Sequence, residues 1–207
     1  MKSLAILGAS GHGKVVADCA EACGWQAVVF FDDAWPELKA NGSWPVRGNT
    51  QSLLDSLSEY DGVIVAIGHC ATRFGKVTLL RQSGANLVSL IHPSAVVSRY
   101  ASVGAATVVF AGAIVNVDAR IGNGVIINTA ASVDHDCVLE DGVHVGPGTR
   151  LAGGVCVGER AWLGIGATVK QQIVVGADSI VGGGAAVICD VAAGFTVLGV
   201  PARPVMG

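Results

Sequence analysis

The second half of the chain places an aliphatic residue at every sixth position: Ile91, Val97, Val103, Val109, Val115, Ile121, Ile127, Val133, Leu139, Val145, Leu151, Val157, Leu163, Val169, Val175, Val181 and Val187. Ile, Val and Leu fill 58 of the 207 positions. At that frequency a run this long has odds on the order of 10⁻⁹ per starting point, so the period is real. A hexad headed by one aliphatic residue describes a short strand and a turn, and three hexads close one triangular coil of a parallel β-helix. Four residues after each head the chain is again small or aliphatic, as at Ala113, Ala131, Cys137, Thr149 and Ala167, which suits a crowded coil. Gly104, Gly122, Gly146, Gly158, Gly164, Gly176 and Gly182 are expected to permit tight turns between the strands. Each buried head stabilises by about 1.5–3 kcal/mol, an upper bound because the unfolded chain is already partly collapsed. Residues 101–117 carry no charged side chain. A membrane span needs about 20 apolar residues, and Asn116, Asp118 and the recurring glycines fit the hexad instead.

Before Ile91 the pattern changes, and three of the four tryptophans (Trp25, Trp35, Trp44) fall there. The chain therefore divides into a domain over 1–90 and a β-helical domain with a C-terminal tail over 91–207. In the first, apolar runs alternate with helical spacing. They predict a strand Ser3–Leu7, a helix Lys14–Cys23, a strand Ala27–Phe31, a Pro-bearing loop, a helix Thr50–Ser58, a strand Gly62–Ile67, a helix near Thr72–Ser83 and a last strand Asn86–Leu90. Strands alternating with helices argue for a parallel, Rossmann-like α/β sheet with right-handed crossovers.

The net charge of −3 is small and the 13 basic residues are scattered. No electrostatic footprint for nucleic acid and no basic amphipathic segment for a membrane surface is present. Cys19, Cys23, Cys70, Cys137, Cys156 and Cys189 contain no Cys-x-x-Cys pair, and no basic-then-apolar leader precedes the first strand. The expectation is a reduced, cytoplasmic protein without a metal site, whose partners are small molecules and copies of itself.

Candidate chemistry falls in two places. Gly8-Ala9-Ser10-Gly11-His12-Gly13 lies between a strand and a helix, where backbone N–H groups and the helix dipole attract phosphate. Its Gly-x-x-Gly-x-Gly spacing is not the dinucleotide order and the domain is half-sized, so a nucleotide diphosphate fits better than NAD. Asp32 and Asp33 end the second strand, where a carboxylate can accept from a ribose or a base edge. Gly68 and His69 end the third, at the carboxyl edge where such sheets bind ligands. A strand-end turn remains open for both pairs. His92, before Pro93, reads as a turn residue. In the hexads, His135 lies within Asp134-His135-Asp136. A carboxylate beside an imidazole orients it and raises its basicity, as a general base needs. His144 follows half a coil later, so the two histidines need not face each other within one subunit.

Together, Gly8–Gly13, the hexads, Asn128-Thr129 leading to His135-Asp136, and Gly199-Val200-Pro201-Ala202-Arg203 resemble the NeuD-type sugar acetyltransferases, relatives of the bacterial UDP-amino-sugar N-acetyltransferases, over essentially the whole chain. The resemblance implies a left-handed β-helix assembled as a homotrimer with acetyl-CoA bound at its interfaces, and an N-terminal domain holding a nucleotide amino-sugar. It implies His135 as base, Asp136 as its partner and the Gly153 N–H as oxyanion donor. It also implies His144, Ile165 and Gly183 as acetyl-CoA contacts. The implied reaction acetylates the amine of a UDP-4-amino-4,6-dideoxy sugar for surface glycan or glycoprotein synthesis. O-acetylation of a sialic-acid-type sugar, a non-catalytic trimeric scaffold and an NAD enzyme are the competing readings.

Overall fold

The computed structural model describes residues 2–205 and separates into two compact units, one ending at Pro93 and the other beginning at Ser94.

The first unit is a three-helix α/β fold. Strands β1 (Ser3–Leu7), β2 (Ala27–Phe31), β3 (Ala40–Asn41), β4 (Trp44–Gly48) and β5 (Gly62–Val65) form one sheet in the order β3-β4-β2-β1-β5. β1 lies parallel to both β2 and β5, and β2 parallel to β4, while β3 runs antiparallel to β4. The central strands are buried on both faces, with Leu4, Ile6, Phe30 and Ile64 fully inaccessible. This is why they read as continuous apolar runs. Helix α1 (Gly11–Ala22) turns Val16, Ala17, Cys19 and Ala20 toward the sheet. α2 (Thr50–Asp55) contributes Leu53, and α3 (Cys70–Gln82) contributes Val77 and Leu80.

Five expectations change here. α1 starts at Gly11 rather than Lys14, and α3 at Cys70 rather than Thr72, so part of the glycine turn is already the first helical turn. α2 ends at Asp55 and is followed by a separate 3₁₀ turn, Leu57–Glu59. The Pro-bearing loop contains the β3–β4 hairpin. Pro45 is tolerated there because it sits in the short outer pairing opposite Ala40, where its missing N–H leaves no central ladder bond unmade. The strand expected over Asn86–Leu90 reduces to a single bridge, Leu87 to Val63, and a two-residue strand at Leu90–Ile91.

The second unit is a parallel β-helix of three sheets built from two-residue strands. Each strand pairs with its equivalent one coil later, as Ile114-Val115 with Ser132-Val133 and then Arg150-Leu151. Every head from Val109 to Val187 is buried, and the residues four further on complete the same core. Ile91 departs from the expectation. It is 41% exposed and belongs to the first unit, while its neighbour Leu90 is the buried residue. The last coil is shorter, because Ile180 pairs with Thr196, and the chain ends in an antiparallel pairing of Thr196–Leu198 with Arg203–Pro204.

The seven glycines expected to bend the turns do something else. None has a positive φ; instead the next coil's backbone lies against each of them or, at Gly182, the Leu198 side chain. A Cβ on Gly146, for example, would stand 2.6 Å from the Leu163 carbonyl oxygen. The left-handed turn positions are occupied by other residues, among them Gly148 (φ 65°) and Asp136 (φ 59°).

Candidate active site

The β-helix holds Asp134-His135-Asp136 as an outward turn between two inward residues, Val133 and Cys137, both fully buried. Neighbouring coils clamp its backbone. Asp134 N–H donates to Leu151 O (3.1 Å), Asp136 N–H to Val117 O (3.2 Å), and Gly154 N–H to His135 O (2.9 Å). Asp136 takes the left-handed conformation that Asp tolerates better than most residues. From there its Oδ2 lies 2.7 Å from His135 Nδ1. That hydrogen bond, helped by the charges of Asp134 and Asp136, raises the His135 pKa above the ordinary histidine value. With the carboxylate on Nδ1, the neutral ring carries its hydrogen there and presents the Nε2 lone pair outward.

Nε2 faces Gly153. A Cβ built on Gly153 would stand 2.5 Å from both Cε1 and Nε2 of His135. The imidazole occupies this position because position 153 has no side chain. Around the pair lies an open cleft of about 290 Å³ lined by His135, Asp136, Gly153, Gly154, Gln171 and Gln172. The two glutamines escaped the sequence reading, although they stand two coils below His135 and Asp136, a spacing the hexad register predicts.

His144 belongs to a strand of another sheet, His144–Val145. It is buried, with Nε2 3.2 Å from Asn128 Nδ2 and its ring edge-on to Trp162. Ile165 is 65% exposed and packs its Cγ2 over Gly183, where an added Cβ would lie 3.2 Å away. The structure thus joins His135, Asp136 and Gly153 in one cleft and sets buried His144 and exposed Ile165, with Gly183, elsewhere on the coils.

In the first unit a cleft of about 280 Å³ opens at the carboxyl edge of the sheet, lined by Gly8, Ser10, Asp32, Asp33, Gly68 and the unforeseen Lys76, among others. Gly8 has φ +110°, and Gly13 is packed so closely that a Cβ would lie 2.5 Å from Gly8 O. Gly11 is different, since its missing side chain would project into open space. Asp32 fastens the turn, its carboxylate accepting from Ala9 N–H (2.7 Å) and Ala34 N–H (2.9 Å). Asp33 accepts from Thr50 N–H and pairs with Lys76 Nζ, both at 2.9 Å. Hydrogen bonds from Thr50 and Lys76 hold its pKa down at about 2. His69 caps α3, with Nδ1 3.3 Å from Thr72 N–H, and Asn49 caps α2. Ser10, at the start of α1, lines the cleft and makes no side-chain cap. His12 is largely buried. Burial, then the neighbouring Arg73 charge, pushes its pKa down to about 4 and keeps it neutral. Arg73, 1% exposed, donates to Ile67 O (2.9 Å) and Gly68 O (2.8 Å) and so sets the turn after β5. A lone arginine in an amphipathic helix carries no sequence signal for that burial. Among the described residues no group of three or more His, Cys, Asp or Glu side chains is arranged to hold a metal, and no helix is long and apolar enough to cross a membrane.

Residues 3–77 match the PglD N-terminal domain. The chain is 39% identical over 115 residues to UDP-N-acetylbacillosamine N-acetyltransferase of Bacillus subtilis, a match spanning 54% of this chain and about half (52%) of that relative. It superposes with a TM-score of 0.94 and 43% identity on the acetyltransferase domain of PglB from Neisseria gonorrhoeae in complex with acetyl coenzyme A, covering 99% of each chain. PerB from Caulobacter crescentus in complex with CoA and GDP-perosamine superposes with the same TM-score at 40% identity, over 100% of this chain and 98% of that one. Identity of this order across whole chains, on a shared Rossmann-like domain and left-handed β-helix, places the chain in the family of bacterial sugar N-acetyltransferases.

Proposed function

We propose that this protein transfers the acetyl group of acetyl-CoA to the amine of a nucleotide-linked 4-amino-4,6-dideoxy sugar, with UDP as the nucleotide, in the synthesis of a surface glycan or glycoprotein. The observation that carries the proposal is the His135 imidazole, tied at Nδ1 to Asp136 and turned at Nε2 across Gly153. As the sugar nitrogen bonds to the thioester carbon its proton becomes acidic, and His135 Nε2 takes it. The Gly153 N–H donates to the oxygen that becomes negative. When the C–S bond breaks, the proton on His135 passes to the departing thiolate. No covalent enzyme intermediate forms, and much of the rate comes from holding the amine and the thioester together at His135.

The first domain supplies the nucleotide site. The uncapped start of α1 and the Gly8–Gly13 turn receive the diphosphate, and Asp32, Asp33, Gly68 and His69 frame the nucleoside. Relatives carry UDP and GDP sugars respectively, so the choice of base rests on this cleft. Acetyl-CoA lies along the coil surface against His144, Ile165 and Gly183. Because His135 lies on the turn between strands of two sheets and His144 in a strand of the third, a cleft using both draws on two subunits, and a homotrimer satisfies this.

Incubation with acetyl-CoA and a panel of UDP- and GDP-linked amino sugars, with free thiol as readout, tests the reading. CoA should appear only when an amine acceptor is present, and fastest with a UDP-4-amino sugar. Equal release with sialic acid would replace N- by O-acetylation, and a monomer by light scattering would remove the shared cleft.

A further inference from the structure

The carboxylate on the other side of the histidine has its own tether. Asp134 Oδ1 accepts from the His135 N–H at 2.8 Å, and the same atom accepts from Asn116 Nδ2, one coil above, also at 2.8 Å. The two bonds hold the Asp134 pKa below the usual carboxylate range. Asn116 is itself fixed, since its N–H donates to Val133 O at 2.9 Å. A chain of contacts therefore runs from the coil above, through Asn116 and Asp134, into the backbone of His135. It meets there the separate bond that holds the side chain to Asp136.

We propose that Asp134, anchored by Asn116, is a positioning residue for acetyl transfer, fixing the backbone of His135 so that its ring is aimed across Gly153 by two carboxylates and not by Asp136 alone. The inference rests on the reading of His135 as the base. Its physical content is that an exposed imidazole on a turn, 56% accessible at the side chain, swings through many rotamers unless both its backbone and its ring are held. A misplacement of about 1 Å can cost on the order of 10²-fold in rate. The charged groups near the ring are Asp134 and Asp136 on its own turn and, by coil register, Asp118 one coil above. The coils below present Gly153, Gly154, Gln171 and Gln172, all uncharged.

The test compares wild type, Asp134→Ala, Asp134→Asn, Asn116→Ala and His135→Ala as full-length protein, by kcat, both KM values, the acid limb of the rate–pH profile and thermal melting. Asp134→Ala should lower kcat about 10- to 100-fold and leave both KM values within about twofold of wild type. It should also shift the acid limb to lower pH, because a negative charge beside the ring is gone. Asp134→Asn keeps the acceptor oxygen without the charge, so it should restore most of kcat while showing the same shift of the limb. Asn116→Ala should lower kcat a few-fold, leaving the limb in place. Wild-type kcat and limb in Asp134→Ala, in an enzyme that His135→Ala inactivates, would overturn the inference alone. An Asp134→Asn enzyme as slow as Asp134→Ala would overturn it too, since charge and not aim would then be the cause. A melting temperature lowered in Asp134→Ala with kcat and limb unmoved would show a merely structural residue. If wild type releases no CoA with any amino sugar, or His135→Ala stays active, it is the proposed function that falls.

Discussion

His12 and His135 each stand beside a glycine-rich turn, and their surroundings push them in opposite directions. In the α/β unit, burial and the Arg73 charge hold His12 at a pKa of about 4. On the β-helix, a hydrogen bond donated by its ring to Asp136 raises that of His135. The first ring is neutral and packed; the second is exposed and holds a proton more readily than an ordinary histidine. The difference follows from how the folds deliver side chains. A sheet edge gathers turns from several elements, so its polar groups are consumed by one another, as Asp32 is by Ala9 and Ala34. A β-helix spends its inward positions on aliphatic heads and turns the residues between its strands outward, and coil register stacks His135 over Gly153, where Asp134 and Asp136 hold its backbone and ring.

The largest test of that contrast is removal of the exposed ring. His135→Ala should lower kcat by ~10²–10⁴, the usual worth of a positioned base, with assembly and melting temperature unchanged because the side chain lies outside the core. The wild-type rate should fall as pH drops through a pKa above the ordinary histidine value, where the base becomes protonated. Asp136→Asn keeps an acceptor for the His135 ring but removes the charge that strengthens that bond and favours the protonated ring, so it should slow the enzyme less than His135→Ala and move that limb to lower pH. Steady-state rates across pH decide both.

His12 predicts an effect on folding instead. The folded pKa is depressed, so between about 6.5 and about 4 the unfolded chain binds a proton that the folded chain refuses. Stability should be full above pH 6.5 and decline toward pH 4 by on the order of 3 kcal/mol. Asp33, held at about 2, is lost only below that window. Denaturant melts at pH 7 and 4.5 should show a steep loss in wild type and a shallow one in His12→Gln. Equal slopes would mean that His12 is accessible to protons in the fold.

The two units were also unequally legible in the amino-acid pattern. The hexads state the β-helix almost outright, since one physical repeat equals one sequence repeat, and Ile91 misled only because the rhythm outruns the domain. What the period concealed was which glycines bend and which make room. Gly146 carries no unusual φ, yet faces the Leu163 carbonyl. Gly146→Ala should therefore destabilise by about 1–3 kcal/mol, the range for overpacking, and leave both KM values alone, as calorimetry and kinetics on one preparation will show. In the α/β unit, element types were readable and their ends were not, because glycines at a helix start look like a loop and Pro45 hides a hairpin. His135 and Asp136 announce themselves by adjacency. Arg73, Lys76 and Gln171 do not, since their place is set by tertiary packing.

The smallest effect separates cradle from scaffold within a single turn. Gly13 is enclosed, its missing Cβ 2.5 Å from Gly8 O, so a side chain there must disturb the fold whatever the ligand. Gly11 is exposed at the first position of α1, with nothing within 4 Å of where a Cβ would stand. A valine at 11 consequently has room in the free protein, and its stability should stay within about 0.5 kcal/mol of wild type, as for surface sites generally. If the start of α1 receives the diphosphate, that side chain screens the first-turn N–H groups. Losing one such hydrogen bond, worth about 1 kcal/mol, should raise the KM for the sugar nucleotide about fivefold while the KM for acetyl-CoA holds. Equal changes in both would mean that the turn supports the fold and touches no substrate. The division between the two clefts would then have to be redrawn with the nucleotide nearer the β-helix.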